Sequence, residues 1–88
     1  MKYQINPNVL SSKIDEEAIL MCIEADAYFG LDPIATRIWD ILSEKPQSLD
    51  GIVAILSEEY EVDQTTCETD VKAFLTTMIE RKLISEVA

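Results

Sequence analysis

Residues 28–42, YFGLDPIATRIWDIL, constrain the fold more than any other part of this chain. The stretch opens with aromatic and aliphatic residues that favour a strand. A sharp turn follows, in which Asp32 is placed to cap a helix and Pro33 to occupy its first position. Ile34, Ile38, Ile41 and Leu42 then recur at helical spacing, with Trp39 beside the stripe. A strand that runs directly into a helix sets a sheet edge beside a helix face. That geometry suits gripping an extended peptide better than performing chemistry.

The residues before this junction read as strands. Residues 9–13 form one candidate after Pro7, and residues 18–24 (AILMCIE) form the strongest, a continuous apolar run of strand length. Glu24, Ala25 and Asp26 can turn, so residues 18–24 and Ala27–Leu31 make a hairpin. Ile19, Met21 and Ile23 point to one face of the long run, and Leu20 and Cys22 to the other. A small antiparallel sheet normally solvates one face. The second apolar face must therefore meet Tyr3 and Ile5 of the N-terminal segment, a second copy of the chain, or a partner.

The remainder reads as helices. The first spans residues 33–43 and is broken at Lys45, Pro46 and Gln47. Ser48 caps a second, whose stripe is Leu49, Ile52, Val53, Leu56 and Tyr60, with Gly51 weakening its start. Val62 and Asp63 connect to a third over residues 64–82, with Cys67, Val71, Phe74, Leu75, Met78 and Ile79 apolar. Residues 83–87 leave the helix as a short strand. The expectation is an α+β, winged-helix-like fold: a three-stranded antiparallel sheet followed by three helices. With 88 residues and no linker, repeat or low-complexity tract, residues 1–88 are read as a single domain.

Composition narrows the function. The apolar content of 48% supports a packed core. Seventeen acidic residues against seven basic give a net charge of −10. Such a surface repels phosphate backbones and anionic lipid heads, so neither nucleic acid nor membrane is expected as a partner. The N-terminus lacks a signal-peptide pattern and no apolar run is long enough to span a bilayer, so a cytoplasmic protein is expected. Cys22 and Cys67 lie in apolar segments and read as buried free thiols. With no histidine in the chain, His-based acid–base catalysis, Ser-His triads and a metal site are not expected. Gly30 and Gly51 are the only glycines, and they cannot build a phosphate-cradling loop. The carboxylates read as turns and solvated helix faces. No catalytic residue and no cofactor is assigned.

Two alternatives compete. Ser48-Leu49 opening a helix is similar to the attachment site of acyl or peptidyl carrier proteins. Against it, Gln47 stands where carriers have Asp, and the first third reads as strands where a carrier has a helix. The Ser48 N-cap explains the residue fully. The winged-helix pattern also admits DNA binding through the third helix. Its Glu68, Asp70 and Glu80 offset Lys72, Arg81 and Lys82, leaving no basic footprint.

Tyr28-Phe29-Gly30-Leu31-Asp32, then Ala35 and Ile38-Trp39-Asp40-Ile41-Leu42, begin a series of core patterns in a particular order. Leu49, Ile52-Val53, Glu59-Tyr60 with Val62-Asp63, Asp70-Val71, Phe74-Leu75 and Leu83-Ile84 complete it. Together they resemble the PqqD-like family, the leader-peptide recognition elements of ribosomally made, modified peptides, over about residues 16–88. Pro33, where members more often carry a polar or small residue, and Lys82, where glycine is usual, are mild departures. The resemblance implies a non-catalytic protein that binds the leader of a precursor peptide. The leader would add as a strand to the third strand of the sheet and dock on the third helix. Carried onto this chain, the peptide-binding residues are Ala27, Tyr28, Phe29, Gly30 and Leu31 at the edge, and Cys67, Asp70, Val71, Phe74, Leu75 and Met78 on the helix. The implied partners are the precursor peptide and a leader peptidase or other modifying enzyme. The standalone lasso-peptide type is favoured. A homodimer is the other use of the two-sided strand.

Overall fold

The computed structural model describes residues 1–23 and 26–87. The elements run β1 (Lys2–Ile5), β2 (Val9–Ile14), β3 (Glu17–Cys22), β4 (Ala27–Leu31), α1 (Pro33–Glu44), α2 (Leu49–Glu59), α3 (Gln64–Glu80) and β5 (Ile84–Val87). Strands β2, β3 and β4 form one antiparallel sheet in that order, and three helices follow it. The α+β class and the winged-helix-like order are therefore as expected. The addition is β1, which the sequence reading left without an element. It pairs antiparallel with β5 in a second, two-stranded sheet.

Turn chemistry sets the main sheet. Ile14 pairs with Glu17, leaving Asp15 and Glu16 as the loop between β2 and β3. Asp15 takes φ 56°, in the left-handed region that Asp tolerates better than most residues. Asp26 ends the β3–β4 turn with φ 50°, whereas Glu24 and Ala25 of the expected turn lie outside the described residues. Leu20 pairs with Phe29, and Ala18 with Leu31. Ala18, Leu20, Cys22 and Leu31 are buried, so this face packs on the helices.

The opposite face carries Leu10, Ile14, Ile19, Met21 and Tyr28. Tyr3 and Ile5 do not cover it, which removes one of the three expected explanations. They pack against the core from the β1–β5 sheet instead. The physical reason is backbone pairing. β5 offers β1 a full partner, and Tyr3 exchanges hydrogen bonds with Gln47 on its other side (N–H to Gln47 O 2.7 Å, Gln47 N–H to Tyr3 O 3.1 Å).

Each helix starts on an oxygen cap. Asp32 accepts from the Ala35 amide at 2.8 Å and Ser48 from the Gly51 amide at 3.1 Å, as expected. Asp63, expected only in the connection, accepts from the Thr66 amide at 3.1 Å. The third helix stops at Glu80, short of the expected residue 82. Lys82 adopts φ 61° and donates to Ile79 O, and Leu83 donates to Met78 O. This reversal carries Leu83 and Ile84 into the core, where they are buried.

The core joins both sheets to the helices. Leu20, Ile52, Leu56, Val71, Leu75 and Leu83 are its most enclosed large side chains. Trp39 is buried with them, and Cys22 and Cys67 are buried free thiols, all as expected. Ile34 departs from the expected stripe and is exposed, because it lies in the first turn of α1, beyond the sheet. Thr36 is buried in its place. Its hydroxyl donates to Leu31 O (3.3 Å) and accepts from the Ala18 amide (2.9 Å), tying α1 to the ends of β3 and β4.

Candidate functional site

Strand β4 is the last strand of its sheet, and its outer edge has no strand beside it among the described residues. Such an edge presents unpaired amides and carbonyls. Two observations place α3 alongside. The Arg81 guanidinium lies over the Phe29 ring, 4.9 Å from its centroid. Further along, Asp70, Val71 and Phe74 of α3 face Asp32, Ile34 and Ala35 across a cavity of about 380 Å³. α3 packs chiefly on α2 and β5 and little on β4, and the strip between the β4 edge and α3, with the cavity at its end, is the candidate groove.

The sequence-derived residues divide by position. Phe29 and Leu31 point inward with Leu20 and Ala18, and Ala27 shares their side opposite Cys22. Tyr28 points to the opposite, solvent face and is 69% exposed. Gly30 also points outward, and a Cβ built on it would meet nothing within 4 Å. Its φ is not positive, so neither backbone conformation nor crowding within the chain calls for glycine. On α3, Cys67, Asp70, Val71 and Phe74 line the cavity. Leu75 and Met78 do not. They are 1% and 3% exposed and belong to the core behind it, Leu75 about a quarter turn round the helix from Phe74 and Met78 about one turn further along it.

The cavity also draws on residues that the sequence reading placed in stripes, connections or the family pattern and did not assign to the binding site. Ile34, Ala35 and Ile38 come from the start of α1, Leu56 and Tyr60 from the end of α2, and Val62 and Thr66 from the approach to α3. Ile34 and Val62 are apolar yet 44% and 46% exposed. Val62 lies in a connection off the regular stripes, which was a signal in the sequence, whereas Ile34 sits on the expected stripe of α1 and gave none. The lining is mainly apolar, with Asp32 and Asp70 as its carboxylates. Asp32 is already engaged as the α1 cap, and Asp70 is exposed to solvent. No group of three or more metal-ligating side chains occurs among the described residues.

Residues 17–84 match the family described as coenzyme PQQ synthesis protein D (PqqD). The chain belongs to the PqqD family. A solved structure of TbiB1 in complex with the TbiA(beta) leader peptide is 35% identical to this PqqD-family chain. It aligns with a TM-score of 0.89 over 97% of this chain and 98% of that one. A lasso peptide synthetase B1 complexed with the leader peptide is 23% identical, with a TM-score of 0.84 over 98% and 100% of the two chains, and shows the shared fold. No curated protein matches the sequence. The PqqD match begins at β3 and ends at β5, so it spans the β4 edge and all of α3.

Proposed function

We propose that this chain binds the leader region of a ribosomally made precursor peptide in lasso-peptide biosynthesis, without catalysing a reaction itself, and delivers it to a separate enzyme. The observation that carries the reading is the free β4 edge facing α3, with an apolar cavity at its end. Support also comes from TbiB1, similar over nearly its whole length and solved with a leader peptide. The leader adds as a strand to Ala27–Leu31. Each backbone hydrogen bond contributes about 0.5–1.5 kcal/mol net and is blind to sequence. Specificity comes from a side chain seated in the cavity against Cys67, Val71 and Phe74, which adds about 1.5–3 kcal/mol. A few such contacts, less the ordering of a flexible leader, reach the roughly −8 kcal/mol of micromolar affinity or better.

The test is a titration with fluorescently labelled TbiA(beta) leader and with leaders of precursors encoded beside this chain. Saturable binding to at least one is expected. Phe74→Asp places a charge in the cavity wall and should weaken it by more than about tenfold, the loss of one buried anchor. Absence of binding to all of them would overturn the reading.

The outer face of the β2–β3–β4 sheet is proposed as the contact for the modifying enzyme or leader peptidase. Leu10, Met21 and Tyr28 form one cross-strand row there, and Ile19 lies in the next between Ser12 and Gly30. An exposed apolar surface of this kind marks an interaction site. Asp15, Glu16 and Glu17 at one end and Asp26 at the other favour a partner with a basic rim. The same charges oppose a face-to-face homodimer, the competing use.

A further inference from the structure

Groove and cavity differ in charge along their length, and the difference falls on one residue. At the cavity end the charged groups are Asp32 and Asp70. At the other end stands Arg81, the C-cap of α3. A cation at a helix C-terminus is favourable on its own. Here, however, the guanidinium extends over the half-buried Phe29 ring, which points from β4 toward the helices. Stacking over an aromatic face holds the planar group in place and leaves its edge N–H donors available. The two ion pairs among the described residues are Lys13–Asp40 and Arg37–Glu59, so Arg81 has no carboxylate partner there. In a chain of net charge −10, this cation stands at the mouth of the groove without one.

We infer that Arg81 gives the groove a charge preference, selecting in the bound peptide an acidic side chain set two or four positions from the apolar residue that fills the cavity. The inference rests on the peptide-binding reading above and deepens it. The spacing follows from two rises. From Phe74 to Arg81 the helix advances about 10 Å. An added strand advances about 3.3 Å per residue and turns alternate side chains to one face, so its groove-facing residues fall about 6.6 or 13 Å apart. An acidic side chain at either distance brings its carboxylate to the guanidinium edge while the anchor remains seated. The pair is partly solvated, so it sets preference more than total affinity.

The probe is a displayed library of random short peptides, selected in parallel on the wild-type chain and on Arg81→Glu, Arg81→Gln and Phe74→Asp. The wild type should enrich an apolar anchor with Asp or Glu at one fixed even spacing. Arg81→Glu should keep the anchor and enrich Lys or Arg at the second position, and Arg81→Gln should keep the anchor and lose the preference. Retention of the anchor shows that the variants are folded. For one selected peptide, replacing its Glu by Gln should weaken wild-type binding about two- to fivefold at low salt, and the Arg81→Gln chain hardly at all. Equal acidic enrichment on Arg81→Glu and wild type, or none on the wild type, would overturn the inference and leave peptide binding standing. Failure to select any peptide whose binding Phe74→Asp abolishes would overturn the peptide-binding reading, and this inference with it.

Discussion

Thr36 and Lys82 show how single side chains hold the groove in shape. The Thr36 hydroxyl is buried and joins the Leu31 carbonyl to the Ala18 amide, at the point where β4 enters α1. Thr36→Val preserves shape but strands both backbone groups away from water. It should cost about 1–3 kcal/mol in urea unfolding. The loss should also weaken peptide binding, because the β4 edge is no longer fixed against α1. Lys82 presents the opposite case. Its φ of 61° costs a residue with a Cβ more than it costs glycine. Lys82→Gly should therefore raise stability by up to about 1 kcal/mol, read as a higher urea midpoint with an unchanged slope. A lower midpoint would mean that the lysine side chain contributes more than its backbone conformation costs.

At the scale of elements, the helices are placed by what joins them. Arg37 of α1 binds Glu59 of α2 through two hydrogen bonds, at 2.7 and 2.6 Å. The hydrogen bond from Arg37 holds the Glu59 carboxyl below its usual range, and Glu59 raises the already high value of Arg37. Arg37 thus stays charged throughout the acid range, and Glu59 is the group that titrates. Because its folded value is depressed, its contribution is present above the unfolded carboxylate value and lost as pH falls through the folded one. The pair is about a third exposed, so the contribution is modest, about 0.2–1 kcal/mol. Glu59→Gln should be less stable than wild type at neutral pH, and the two should converge on acidification. Thermal unfolding at a series of pH values measures this. Parallel curves down to the most acidic point would show that the pair contributes nothing. Strand β1 is also a joining element. Asn6 donates from its side-chain amide to Lys82 O (2.8 Å) and its backbone amide to Leu83 O (3.0 Å), locking the chain start onto the reversal after α3.

For the molecule as a whole, charge and the uncovered sheet face decide behaviour in solution. With a net charge of −10, self-repulsion opposes compactness, and screening should relieve it. Raising the ionic strength from near zero to about 0.15 M, where the Debye length is about 8 Å, should raise the thermal midpoint. The outer sheet face makes a separate prediction. Ile19→Lys and Leu10→Lys should leave stability and leader binding nearly unchanged, because both side chains point away from core and groove. They should abolish co-elution on size exclusion with the enzyme proposed above as partner of this face. If instead the wild-type chain alone elutes as a dimer and these variants as monomers, the face is a homodimer surface.

Much of this was legible in the residues themselves. Local chemistry determined the elements: Asp32-Pro33 and Ser48 set helix starts, the apolar spacing of Ile52, Val53 and Leu56 set the buried side of α2, and the run around Leu20 set a strand with two apolar faces. Order and spacing were enough for the fold class, and the resemblance to the PqqD-like family set Ala27–Leu31 beside the third helix. Tertiary structure alone decided which apolar residues were core and which were surface. Leu75 and Met78 share a helix face with Val71 and Phe74, and only the packing of α2 and β5 buries the first pair wholly and leaves Phe74 at a cavity. Periodicity cannot separate them, because burial depends on what packs opposite and not on spacing. The same holds for residues 28–42. Their strand, turn and helix follow from local preference, but the cavity at their junction is completed by Tyr60, Val62 and Thr66, which only the folded chain brings there. Arg81 over Phe29 is likewise a contact between distant parts of the chain, and no local pattern in the sequence announces it.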